Sequence, residues 1–357
     1  MEAPWRLLVA LAACTAGACS YYDASLLSPK AGEPADASSD QGSGVCQHAQ
    51  PPSPPTVVDA GGDKEFVILL RTIDFLENGD FKTLGFDQDR TCTCQGEGLS
   101  CTPPSGMAEK DQCDGPGGRD NSVSALIRQT SMLGLSSARF NQDIDNGGKT
   151  VALRVQGYNG QPDDDRVDVA WLVPADFVGK PAWNGQDVWP VRKSCLDGDL
   201  DHPKATDPNA YVSGGKLVAS LQKNASLQLG GLAWNVIAAY IVVDLVPSGD
   251  GYRSDHGMMT GMWNAREMLG QLPAGSVLGA HLCTDHAVYP QVKKLICNAR
   301  DIASKSSLPS DPCDSISMAF AFTAEPARIG GVTDEAAPTS PCTPATDPAN
   351  DSCDEGP

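Results

Sequence analysis

Basic residues are scarce. Lys and Arg total 26 against 45 Asp and Glu, so the 357-residue chain carries a net charge of -19. A surface of that sign repels polyanions, which excludes nucleic acid as a partner. Histidine is also rare, with only His48, His202, His256, His281 and His286, and no His-Glu-x-x-His pairs two of them for a zinc hydrolase. His281 and His286 flank Cys283 and Asp285 and are the one pair near ligand spacing, but an exported Cys283 is better used in a disulfide. Gly-x-Ser-x-Gly is missing, since Gly275-Ser276-Val277-Leu278-Gly279 has its serine misplaced, and Gly249-Asp250-Gly251 lacks the third glycine of a dinucleotide fingerprint. No apolar run reaches the ~20 residues of a membrane span, because residues 232–246 are interrupted by Asn235 and Asp244. No repeat of 20 to 50 residues is legible.

What is present is a 41% apolar fraction, enough for a full core, together with 36 Gly, 27 Pro and 13 Cys. The first residues, MEAPWRLLVALAACTAGAC, place Arg6 before an apolar stretch and end in small residues, the pattern of an export signal over 1–18. Ala16-Gly17-Ala18-Cys19 and Leu11-Ala12-Ala13-Cys14 each resemble the lipobox of bacterial lipoproteins. Cys19 is favoured because it leaves a signal of usual length followed by a polar tether, with Cys14 as the alternative. The resemblance implies a lipid anchor in the membrane, and Ser20 in place of Asp points to the outer membrane. Ordinary secretion is the competing outcome, since Ala16-Gly17-Ala18 also fits small-x-small cleavage.

Residues 19–62 are rich in Ser, Pro, Ala, Gly and Asp and read as a disordered tether, in which Cys46 could clip to the domain. Residues 63–330 form the β-rich globular domain, and 331–357 an extended tail carrying Cys342 and Cys353. Strand patterns fall at 65–70, 150–155, 167–173, 216–221, 226–229, 236–246 and 258–263, the run 237–243 being apolar on both faces as in a central strand. Three helices follow from caps and periodicity. Asp120 precedes Val123, Leu126, Ile127 and Thr130 on one face; Asn264 with Glu267 makes a capping-box-like start; and Pro290 precedes Val292, Leu295, Ile296, Ala299 and Ile302, with Asp301 outward. The expected fold is a mainly β, antiparallel sandwich-like domain with a few packed helices, stapled by disulfides.

The cysteines available for bridges are Cys92, Cys94, Cys101, Cys113, Cys195, Cys283, Cys297, Cys313, Cys342 and Cys353, with Cys297 expected to reach Cys283 or Cys313. If Cys14 is removed and Cys19 acylated, an odd number remains and one thiol is left over. Carboxylates alternate through Asp87 and Asp89, then recur at Asp114, Asp120 and Asn121 among tight glycine turns, which is the oxygen-rich setting Ca²⁺ requires. The competing use of those acids is turn and helix capping, with Asp120 as the N-cap. Asp197-Gly198-Asp199-Leu200-Asp201 starts like an EF-hand but has His202 where glycine is needed. Trp183 and Trp189 bracket a loop suited to a glycan, although tryptophan in a β-rich domain is more often core.

Together these features describe an exported, lipid-anchored envelope protein with a non-catalytic binding or structural role, a structural Ca²⁺ site, and a glycan or envelope protein as partner. The rival is an exported hydrolase of polysaccharide or ester bonds, using acids near Asp244, Asp250 and Asp255 or His256.

Overall fold

The computed structural model describes residues 46–56, 61–131, 134–221, 223–229, 232–275, 281–305, 308–335 and 340–353. Cys14, Cys19 and the start of the tether lie outside these residues. The described residues contain eleven strands: β1 (Lys64–Asp74), β2 (Ala152–Tyr158), β3 (Asp164–Leu172), β4 (Val188–Arg192), β5 (Ala205–Ser213), β6 (Lys216–Ser220), β7 (Ala225–Leu229), β8 (Leu232–Asp244), β9 (Val246–Ser248), β10 (Gly251–Asn264) and β11 (Ser315–Thr333). They also contain four α-helices, α1 (Ser122–Thr130), α2 (Ser137–Asp145), α3 (Ala265–Gln271) and α4 (Tyr289–Asn298).

Eight of the strands close a ring in the order β1-β2-β3-β5-β6-β8-β10-β11, every neighbouring pair antiparallel. This corrects the sandwich. A sandwich leaves two sheets with free edges, whereas here β11 pairs with β1 on one side and with β10 on the other, so the sheet ends on itself. The strand that closes the ring, 19 residues long, alternates large with small side chains in its first half, as in Met318-Ala319-Phe320-Ala321-Phe322. Outside the ring, β4 pairs parallel with β11, whereas β7 pairs antiparallel with β8 and β9 antiparallel with β10.

Side-chain alternation divides each wall strand into two faces. Ile68, Leu153, Val169, Leu217, Ile241, Met259 and Phe320 belong to one large core cluster. Their neighbours Leu69, Ala152, Leu172, Val218, Val242, Met258 and Ala319 belong to three separate clusters on the opposite face. The lumen is therefore packed with side chains, including Trp234 stacked on Trp263 at 4.6 Å between ring centroids, and it forms one core with the buried faces of all four helices. The outer face is covered too. Trp189, Val191 and Leu196 lie over Leu69, Ala152 and Leu172, and Phe86 lies over Val218, Val242 and Met258. Burial on both faces is why residues of β8 read as a continuous apolar run rather than an alternating one.

The long connection from β1 to β2 holds α1, α2 and a cysteine-rich loop. Three bridges fix that loop: Cys46–Cys92, Cys94–Cys113 and Cys101–Cys313. Two more, Cys283–Cys342 and Cys297–Cys353, attach the C-terminal tail. Cys297 thus pairs with Cys353, not with Cys283 or Cys313, and Cys195 stays a free thiol. The segment from Cys46 is docked as well, since Ala49 N donates to Gly117 O, Asp87 N donates to Ala49 O, and the Tyr211 hydroxyl donates to Pro52 O.

Candidate functional site

The cysteine-rich loop brings the predicted acidic residues together. One carboxylate oxygen from each of Asp87, Asp89 and Asp120 lies within 4.8 Å of the others. Each is aimed by a turn amide: Thr91 N donates to Asp87 Oδ1 at 3.1 Å and to Asp89 Oδ1 at 2.9 Å, and Gln88 N donates to Asp120 Oδ2 at 2.7 Å. Gly118 permits this closeness. Its φ of +72° suits glycine, and a β-carbon there would sit 2.9 Å from the Asp87 carboxyl carbon.

Burial dominates the electrostatics. It pushes Asp89 up to about 7 and Asp114 up to about 8, and it holds Asp120, which is 2% exposed, well above the carboxylate range. The neighbouring acids add to each shift, and Asp301 joins them, its own carboxyl raised by burial while Ser122 Oγ and Ser317 N donate to it. The group that answers this charge is His48, whose Nδ1 contacts Asp87 and whose Nε2 lies 3.5 Å from Glu97. The hydrogen bond to Asp87 raises the pKa of His48 above its ordinary value. Gln88 Oε1 is buried with no donor among the described residues. Such a cluster holds protons, and three converging carboxylates are also the start of an oxygen cage for a divalent cation.

Two of the predicted ligands do other work. Asn121 Oδ1 accepts from Ser124 Oγ at 3.0 Å and Ala319 N at 2.9 Å, while its amide nitrogen donates to Phe81 O, so it ties α1 to β11. Asp114 lies outside the trio and accepts from Thr93 N at 2.6 Å. Asp120 is not the N-cap of α1 either. That place belongs to Asn121, which makes no side-chain capping bond. His48 and Asp301 were missed as members: one falls in a stretch that reads as tether, and the other reads as the outer face of α4, which in fact ends at Asn298.

The other sequence candidates separate. Cys92 lies beside His48 and Glu97, but its sulfur is bonded to Cys46. His281 Nδ1 donates to Pro273 O at 2.7 Å, and His286 Nδ1 accepts from Val288 N at 3.3 Å, so both serve local turns. Asp199 accepts from Asp201 N and His202 within its own turn. Among the hydrolase acids, Asp244 accepts from Ser254 Oγ and His256 N, and Asp255 pairs with Arg253.

Trp189 is 0% exposed and sits in the outer core, which corrects its assignment to an exposed loop. Trp183 is half-buried and lines a surface cleft of about 320 Å³ with Asn184, Gln186, Asp250, Glu325 and Arg328. Burial raises the Glu325 carboxyl above its ordinary value. No family model, curated protein or solved structure matches the chain.

Proposed function

We propose that the chain is an exported protein, anchored by a lipid on Cys19 to the outer membrane of a bacterial envelope, where it acts by binding or as a structural element rather than by catalysis. The observation that carries this reading is the cysteine pairing. Five bridges use ten of the eleven cysteines from Cys46 onward, and so many disulfides suit an oxidising compartment. The leftover thiol, Cys195, is turned into the domain, where it accepts from Val173 N at 3.4 Å and donates to Arg192 O at 3.1 Å. A cysteine at the mature N terminus then has no readily available bridge partner, as suits one whose sulfur carries a lipid.

The non-catalytic part of the reading rests on the packed lumen and on the structural duties of Asp244 and Asp255. The anchoring has one direct test, expression of the full chain in a bacterial host followed by mass analysis of its N-terminal peptide and fractionation of the cells. The expected product begins at a diacylated Cys19 and stays with membranes, and Cys19→Ala releases it. An unmodified N terminus on a freely secreted protein would replace anchoring with secretion, and loss of the lipid on Cys14→Ala alone would move the processing site.

A further inference from the structure

The cleft beside Trp183 arises from the way the barrel closes. Pairing of β11 with β10 ends at Ala324, opposite Ser254, and pairing with β4 begins at Arg328, opposite Val188. Across Glu325–Ala327 the one strand partner of β11 among the described residues is β1. Pro326, which has no N–H to offer, occupies this gap. On one side of it stands the loop leading into β4, and on the other the turn between β9 and β10.

The loop wall is held in a costly conformation. Trp183 has φ +53°, in the left-handed region that a bulky residue rarely adopts. The Asp187 carboxylate accepts from Trp183 N at 2.6 Å and from Ala182 N at 3.2 Å, while Asn184 Oδ1 accepts from Gln186 N at 3.0 Å. The indole itself is fixed, with the Arg71 guanidinium 4.7 Å from its ring centroid and Trp189 at 5.4 Å. Strain of this kind persists where surrounding contacts impose it, and it is concentrated at ligand clamps.

We infer that this cleft binds an uncharged saccharide, an inference that rests on the reading of the protein as an envelope binding module. The side chains that meet there are the carboxylates of Asp250 and Glu325, the carboxamides of exposed Asn184 and Gln186, the guanidinium of Arg328 and the open part of Trp183. Carboxylates and carboxamide oxygens accept from hydroxyls, the amide NH₂ groups and Arg328 donate to them, and a sugar ring offers both roles on adjacent carbons. An apolar ligand would leave these groups unpaired. Carboxylates outnumber the single guanidinium, in a protein whose net charge is -19, so a uronate or phosphorylated sugar is repelled. Rigid walls lower the ordering cost of binding.

The test is calorimetric titration of the full chain, with disulfides intact, with maltotriose, cellotriose and the N-acetylglucosamine trimer, and with trigalacturonate as the anionic counterpart. Saturable binding of at least one neutral trisaccharide and none of trigalacturonate is expected. Gln186→Ala and Asp250→Ala, both at exposed positions that leave the fold intact, should each weaken binding roughly tenfold. No saturable binding of any neutral trisaccharide, equal binding of trigalacturonate, or unchanged affinity in both variants would overturn the inference. Mass analysis of the N-terminal peptide reads anchoring independently, so failure here and failure of the lipid anchor are distinguishable. Release of shorter sugars during titration would support the cleft as a saccharide site and overturn only the non-catalytic reading.

Discussion

Asp89 and Asp114 are carboxyls that the fold places where water solvates a charge poorly, and this fixes the direction in which stability responds to pH. In the unfolded chain both ionise near ~3.9, whereas burial raises them to about 7 and about 8 in the folded protein. Between those limits the folded state binds more protons than the unfolded one, so their contribution is full below about pH 4 and is lost as pH rises through 7 and 8. The slope is on the order of 1.4 kcal/mol per pH unit for each group. His48, also raised, acts in the same direction. With EDTA present the melting temperature is expected to fall from pH 5 to pH 8. Asp89→Asn with Asp114→Asn should flatten that fall, because an amide keeps the turn bonds without an ionisable proton, while His48→Gln leaves most of it. Added Ca²⁺ should raise the melting temperature more at pH 8 than at pH 5, because Asp89, raised to about 7, is charged at the higher pH and holds its proton at the lower. A melting temperature independent of pH in EDTA would return these acids to plain turn capping.

At the scale of elements, β8 and β10 show how one residue sets a register. Ala238 adopts φ +49° and bulges out of β8, so the pairing jumps from Thr260 opposite Tyr240 to Met262 opposite Ile237. Gly261 fills the space left between them. A β-carbon there would stand 2.3 Å from Val236 Cγ1 and 3.0 Å from Ile237 O. Gly261→Ala is expected to destabilise the barrel by roughly 1–3 kcal/mol, measured as a shift in denaturant midpoint with an unchanged slope. An unchanged midpoint would mean that the bulge can move aside. This level of organisation also marks what the sequence could reveal. Short β-favouring runs disclosed the cores of β1, β2, β3, β6, β7, β8 and β10, apolar faces disclosed α1 and α4, and the Asn264 cap disclosed α3. Hidden were α2, the short β4 and β9, β5, broken by Asp207-Pro208, and β11, whose alternating alanines depress its hydrophobic signal. Because β11 closes the ring, missing it turned a barrel into a sandwich. The Asp87 to Asp120 cluster was legible from spacing, but Asp301 and Glu325 were not, since each reaches its site only through a pairing distant in sequence.

For the whole molecule the decisive property is that the barrel is full. Eight strands make a ring whose interior can either be filled by side chains or hold one small ligand. Here Trp234 and Trp263 stack inside it, Phe75 and Phe320 approach at 5.3 Å, and Phe140 of α2 reaches Trp234 at 6.3 Å. Packing at that density leaves no room for an acyl chain unless several rings change rotamer together. The candidate sites are accordingly on the outside, at the disulfide-fixed loop and the cleft at the closure of the ring. The native protein should accordingly show no saturable quenching of tryptophan fluorescence when titrated with palmitate or retinol, because Trp234 and Trp263 are 0% exposed and already surrounded. Reduction of the five bridges should change this by loosening the loop and tail that hold α1 and α4 against the core, so that the same ligands quench only after dithiothreitol treatment. Saturable quenching in the oxidised protein would show instead that the rings yield to a ligand, and the lumen would then take its place beside the cleft as a binding site.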